Sequence, residues 1–290
     1  MKLNSPRVKR PDWLKVKIKV DDDFNATKRL MTNQSLHTVC EEARCPNIYE
    51  CWSRNTATIM ILGDTCTRSC GFCSVKTGRP LDIDVLEPFR TAQAVKKMNL
   101  KHVVITSVDR DDLTNDYGAE IWADTIIQIH STVPNCNVEV LTPDFRGYVP
   151  ALKKVFNAKP EIFSHNIECV ERISKAVRKH SDWDRSKEVL RLSIDHKLTT
   201  KTGMMVGLGE TDFEVFETMK EIADLGVEIF NVGQYLQPTK KHLEVQRFVH
   251  PDVFKRYKEK GLELGFKVVE SGPLVRSSYH ADEQARKYSS

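Results

Sequence analysis

From residue 57 onward the chain alternates short β-rich apolar runs with helical patterns, and this rhythm limits the folds open to it. The runs fall at Ala57–Leu62, Val103–Thr106, Val138–Leu141, Ile162–Ser164, Met204–Val206 and Ile229–Val232. Each has strand length, and most are rich in β-branched residues. Ala92, Val95 and Met98 recur at helical spacing between the first two. Thr211-x-x-Glu214 is a capping box ahead of an apolar stripe of Phe216, Met219 and Ile222, with Gly226 as the stop. Strands separated by helices imply right-handed βαβ units and a parallel sheet. Six such units make either an open sheet or a partial barrel, because a full barrel needs eight strands. Residues 1–55 lack the rhythm and read as an irregular N-terminal extension. Residues 56–238 carry it. Residues 239–290 hold a charged helical segment (Pro251–Gly265), a short strand (Lys267–Glu270) and a tail.

Six of the eight cysteines fall in two triplets, Cys40/Cys45/Cys51 and Cys66/Cys70/Cys73. The second is a C-x3-C-x2-C that follows the first apolar run. It supplies three thiolates and stops. Structural zinc sites want a closed set of four ligands, whereas cubane iron–sulfur clusters take one cysteine per iron. A compact three-cysteine loop therefore favours a [4Fe–4S] cluster with one iron open to a small molecule. Zinc would need a borrowed fourth ligand, and no histidine lies inside the loop. Cys136 and Cys169 lie outside both triplets and read as small buried hydrophobes.

Eight cysteines, no secretory pattern and no apolar run long enough for a bilayer point to a reducing cytoplasm. A net charge of +4 is too mild to argue for nucleic acid. Seven Lys/Arg within residues 1–20, against Asp12, read as a solvated arm, with a docking strip for an acidic partner as the alternative. In parallel α/β folds ligands collect at the carboxyl ends of strands. Those ends here carry the Cys66–Cys73 loop, Ser107–Asp112, Thr142–Asp144, His165–Glu168 and Gln234–Pro238, which together predict a ligand pocket. The run from Gly203 to Glu210 lacks G-x-G-x-x-G spacing, and its glycines suit close approach to a flat adenine-like group.

The C-x3-C-x2-C with Phe72 before its last cysteine resembles the radical S-adenosylmethionine superfamily. Cys40-x4-Cys45-x5-Cys51 and Arg276-Ser277-Ser278-Tyr279 narrow that resemblance to the lipoyl synthase family. Similar stretches at Val104–Leu113, Glu139–Phe145, His165–Glu168, Gly203–Glu210 and Gln234–Pro238 extend it over about residues 11–282. The resemblance implies an α/β fold, a partial (β/α)6 TIM-type barrel with an N-terminal extension and a C-terminal tail. It also implies two [4Fe–4S] clusters. One sits on Cys66, Cys70 and Cys73 and binds S-adenosylmethionine through its open iron. The other, on Cys40, Cys45, Cys51 and Ser277, is consumed as a sulfur source. Phe72, Ser107, Asn166, Glu168, Gly203, Gly207, Glu210, Gln234 and Tyr235 become the implied cofactor contacts.

The implied reaction inserts sulfur at C6 and C8 of an octanoyl chain in amide linkage to a lysine. An aliphatic C–H has no useful acidity, which agrees with the lack of a nucleophile–base constellation in the chain. Implied partners are an octanoylated lipoyl carrier domain or glycine cleavage H protein, an electron donor such as ferredoxin or flavodoxin, and an iron–sulfur carrier that rebuilds the cluster. Neither nucleic acid nor membrane is implied. The chain departs from the family pattern at Cys169, at Met205 and at Asn115-Asp116-Tyr117. A methylthiotransferase would need further domains, biotin synthase would leave the first triplet unexplained, and a non-enzymatic iron–sulfur or zinc protein remains the other class.

Overall fold

The computed structural model describes residues 9–16, 18, 20–53, 58–278 and 281. Ala57, Tyr279 and, in the basic arm, Lys2, Arg7, Lys17 and Lys19 lie outside the described residues. The chain opens with α1 (Asp22–Asn33), β1 (His37–Thr38), α2 (Val39–Glu42) and α3 (Ile48–Ser53). Then come β2 (Thr58–Ile61), β3 (Thr65–Cys66), β4 (Lys76–Thr77), α4 (Glu87–Lys97), β5 (His102–Ser107), α5 (Ala119–Thr132) and β6 (Asn137–Leu141). The rest is α6 (Val149–Asn157), β7 (Ile162–Ser164), α7 (Glu171–Val177), α8 (Trp183–Asp195), β8 (Thr199–Val206), α9 (Asp212–Asp224), β9 (Ile229–Gln234), α10 (Pro251–Glu263) and β10 (Val268–Gly272).

The main sheet runs β1-β2-β5-β6-β7-β8-β9-β10. β1 is antiparallel to β2, and every other neighbouring pair is parallel. This is a partial TIM-type barrel. Six of its parallel strands answer the six apolar runs. The short strand expected near 267–270 joins the same sheet as a seventh, with Val268 opposite Ile229. β8 begins at Thr199, five residues before its apolar run, because Thr200, Lys201 and Thr202 are polar yet fully buried.

Local chemistry explains the elements. At α9, Thr211 accepts from the Glu214 N–H, and the Glu214 carboxylate accepts from the Thr211 N–H, completing the box. Met219 and Ile222 are buried, while Phe216 sits at the edge against Tyr257, with ring centroids 5.5 Å apart. The N-terminal extension lacks the barrel rhythm but is not without structure. Asp21 caps α1 by accepting from the Phe24 N–H at 2.9 Å, and Asp22 and Asp23 meet the positive helix end. Phe24 then packs on Trp52 of α3.

Strand alternation sorts the side chains. Val103, Ile105, Val138 and Val140 face the helices and pack with Val95, Trp122 and Ile126. The alternate set, including Met60, Val104, Thr106, Leu141 and Asn231, lines a cavity inside the barrel. Trp122→Ala should cost about 3–5 kcal/mol, since the indole is fully buried in the outer core. Chemical denaturation measures this; a loss below about 1 kcal/mol would show that α5 is not bound through that ring.

Candidate active site

The Cys66–Cys73 loop leaves β3 at the carboxyl end of the barrel and is held from several sides. The Thr67 N–H donates to Asp109 O at 3.0 Å, Gly71 N–H to Val177 O at 2.9 Å, and Leu243 N–H to Gly71 O at 2.9 Å. Arg68, inside the loop and buried, is the main anchor. Its Nε and Nη2 donate to the two oxygens of Asp111 at 2.8 and 2.7 Å, and Nη2 also donates to Asp144 at 2.7 Å. Its Nη1 lies 3.2 Å from Asp109. One arginine thus ties the cysteine loop to the ends of β5 and β6. Burial would raise the Asp144 carboxyl, but Arg68 holds it well below the usual carboxylate range. Burial pushes the Asp109 carboxyl up to about 6 against the pull of Arg68.

The second triplet approaches from the extension. Cys40 lies on α2, Cys51 on α3, and Cys45 in the turn between them. The Asn47 side chain donates to Leu274 O at 2.7 Å, fastening this turn to the C-terminal tail. Gly233 makes room for the tail, because a Cβ there would collide with Val275 O. Asn231 Nδ2 then donates to Ser277 O at 3.1 Å. The Ser277 hydroxyl accepts from Asn166 Nδ2 at 2.7 Å, and the Ser278 hydroxyl accepts from the Thr58 hydroxyl at 2.7 Å.

All six triplet cysteines, with Ser277 and Ser278, line one cavity of about 510 Å³. Burial, with a contribution from Asp109, pushes the Cys66 and Cys70 thiols up to about 11 and 12. Burial and Cys45 push Cys40 up to about 12, and burial raises Cys45 and Cys73. Thiols held protonated in this way become thiolates when positive charge enters among them. No three His, Cys, Asp or Glu side chains among the described residues converge on a point for a single metal ion. A cubane asks for less convergence, because each thiolate meets a different iron. The donor set fits such a group.

Comparison with known proteins gives the same direction. The Radical SAM superfamily profile matches residues 60–222, and that of the N-terminal domain of lipoyl synthase matches residues 1–45. Lipoyl synthase of Rubrobacter xylanophilus is 56% identical over 277 residues, 95% of this chain and 86% of that protein. Lipoyl synthase of Bacteroides fragilis (strain YCH46) is 50% identical over 283 residues, 98% of each. The chain belongs to the lipoyl synthase family. Among solved structures, methylornithine synthase shares the fold with a TM-score of 0.55 at 11% identity, covering 84% of this chain and 82% of that one. Streptococcus suis SuiB bound to S-adenosylmethionine does so with a TM-score of 0.59 at 10% identity, covering 79% and 55%.

For a member of the lipoyl synthase family, the remaining expected contacts divide into two groups. Phe72, Ser107, Asn166, Glu168, Gly203, Gln234 and Tyr235 line the cavity. Asn166 also donates to Glu168 at 3.1 Å, and its own Oδ1 is buried without a hydrogen-bond partner. Glu168 adopts a left-handed backbone, φ 68°, that non-glycine residues seldom take. The Gln234 amide is fully engaged by the backbone at Val206, Tyr235, Arg247 and Val249, and the Tyr235 hydroxyl donates to Leu243 O. These two shape the wall. Gly207 and Glu210 are not among the lining residues. The Glu210 carboxylate accepts from the Gly207 and Leu208 N–H groups and braces their loop, where Gly207 has φ +100°.

Sequence reasoning missed Arg68 and His242. A basic residue inside the cysteine loop and the D-R-D-D run at 109–112 were the available signal for the first. His242 Nε2 lies 2.9 Å from Cys73 O and had none. Arg68→Met should destabilise the protein by about 3–5 kcal/mol by leaving buried carboxylates uncompensated. Arg68→Lys should recover part of that, since charge returns without the bidentate fork. Thermal unfolding and iron content after anaerobic reconstitution report both; equal stability in all three proteins would dismiss the anchor.

Proposed function

We propose that this chain inserts two sulfur atoms, at C6 and C8, into an octanoyl group carried on a lysine of a small protein, giving the lipoyl group. The observation that carries the reading is the meeting of both cysteine triplets and the R-S-S tail at one cavity. Cys66, Cys70 and Cys73 would hold one [4Fe–4S] cluster, and Cys40, Cys45, Cys51 and Ser277 the other. When bound, the first cluster with S-adenosylmethionine supplies a 5′-deoxyadenosyl radical that removes hydrogen from unactivated carbon, and the second supplies sulfur. The protein's part is placement. Asn166 and Glu168 meet the cofactor's sugar hydroxyls, and the free Asn166 Oδ1 suits a ligand donor. The tail brings the Ser277 hydroxyl to the cavity wall, and the apolar walls at Met60, Val104 and Leu141 receive the alkyl chain and keep water from it.

The same reading makes the substrate an octanoylated lipoyl carrier domain or glycine cleavage H protein. It requires a low-potential donor of the ferredoxin or flavodoxin kind and a carrier that restores the consumed cluster. Its setting is the cytoplasm. Among the described residues no helix is long and apolar enough to cross a membrane. The test is mass analysis of an octanoylated carrier domain after incubation with reconstituted protein, S-adenosylmethionine and reductant. Gain of two sulfurs supports the reading; unchanged acyl mass alongside cofactor cleavage removes it.

Ser277 has its own consequence. Ser277→Ala should keep the second cluster but lose most product, and Ser277→Cys should hold it more firmly while turning over less, because thiolate is the softer donor for iron. Ser278→Ala should be milder, because this reading gives the cluster to Ser277; each hydroxyl accepts one hydrogen bond, that of Ser278 from Thr58 and that of Ser277 from Asn166. Single-turnover sulfur transfer compares the variants. Normal transfer by Ser277→Ala beside an inactive Ser278→Ala would move the ligand one residue along.

A further inference from the structure

His102, Val104 and Thr106 sit on one face of β5 and all line the cavity, which therefore extends along about 13 Å of strand. Its walls at Met60, Val104 and Leu141 are apolar. Its deepest member on this strand, His102, is not. The His102 Nε2 lies 3.4 Å from Glu139 Oε2, and Glu139 Oε1 accepts from Lys201 Nζ at 2.8 Å. These side chains are 5%, 0% and 1% exposed. Both His102 ring nitrogens and Glu139 Oε2 lack a hydrogen-bond partner among the described residues. In sheet register, Glu139 lies opposite Val104 and Ile162, while Lys201 lies opposite Ile229. Ile162, Ile229 and Val268 close the same level with hydrocarbon.

A polar trio built on a buried ion pair is a poor choice for stability here. Barrel interiors are filled mainly by branched aliphatic residues, and buried ion pairs usually do no better than apolar replacements of the same volume. The trio does have a consequence for an alkyl ligand. Each methylene buried against an apolar wall tightens binding about fourfold. Of the three, His102 lines the cavity and Glu139 and Lys201 stand behind it, so a methyl group pressed on His102 gains nothing comparable and would keep its unmet ring nitrogen from any polar partner. We infer that His102, Glu139 and Lys201 form a polar stop that sets how far an acyl chain descends into the barrel, and so limits this protein to medium-chain acyl groups. The inference rests on the proposed acyl-lysine substrate.

The experiment uses the reconstituted full chain with S-adenosylmethionine and peptides bearing hexanoyl-, octanoyl-, decanoyl- or dodecanoyl-lysine, with affinity measured by calorimetry. Wild-type affinity should rise about fifteenfold from hexanoyl to octanoyl, then level or fall. Glu139→Leu with Lys201→Met removes both charges at similar volume, and should make decanoyl about tenfold tighter than octanoyl within that variant. His102→Leu leaves the ion pair intact and should move the same ratio several-fold in the same direction. A wild-type series that keeps tightening through dodecanoyl overturns the stop, as do variants with the wild-type ratio. Failure of the wild type to convert the octanoyl peptide overturns the substrate reading itself. Conversion with an unbroken length series overturns the stop alone.

Discussion

Replacing Cys66, Cys70 and Cys73 with alanine should abolish 5′-deoxyadenosine formation while leaving iron on the other triplet. The loop that carries these thiols is fixed by Arg68 and by main-chain bonds at Thr67, Gly71 and Leu243, none of which depends on a cysteine side chain. The loop should therefore keep its path when the sulfurs are removed. The open-iron site loses every protein ligand assigned to it, and the thiols left on the cavity wall, Cys40, Cys45 and Cys51, belong to the other triplet. Iron and sulfide analysis should fall from about eight to about four irons per chain. Chromatography of the nucleoside products should show no cleavage above the protein-free control. Cleavage at the wild-type rate would mean that the cofactor is activated elsewhere.

Removing Cys40, Cys45 and Cys51 should separate the two chemistries. The variant should still cleave S-adenosylmethionine, because the Cys66–Cys73 loop is anchored to the barrel strands. It should form no sulfur-containing acyl product. Cys40 and Trp52 belong to the small core under α1, so the triple change also loosens the extension. Cys45→Ala is the control for that effect, since Cys45 is half-buried and lies outside that core. It should lose product nearly as completely while retaining the wild-type unfolding temperature. Dithiolated product from either variant, without added sulfide, would contradict the separation of roles.

Much of this arrangement was legible in the chain. Hydrophobic runs marked six parallel strands because outward faces such as Val103, Ile105, Val138 and Val140 must bury against helices. The cap of α9 was legible because Thr211 and Glu214 act locally. The first half of β8 was hidden, since Thr200, Lys201 and Thr202 are polar yet buried, Thr200 against Ser193 of α8 and Lys201 and Thr202 against partners 62 and 37 residues away. Arg68 was hidden for the same reason, its carboxylates lying 43 and 76 residues away. The family resemblance implies Gln234 and Glu210 as cofactor contacts. Gln234 lines the cavity, and the side chains of both hold backbone groups, which spacing alone does not reveal.

The central claim is that the protein's own second cluster becomes the sulfur of the product. Reconstitution with isotopically heavy sulfide, removal of all free sulfide, and a single turnover with an octanoylated carrier domain tests it directly. Mass analysis of the acyl-lysine should show two heavy sulfur atoms, with the auxiliary iron released in proportion. Product carrying ordinary sulfur, or heavy product with the second cluster still intact, would contradict the account.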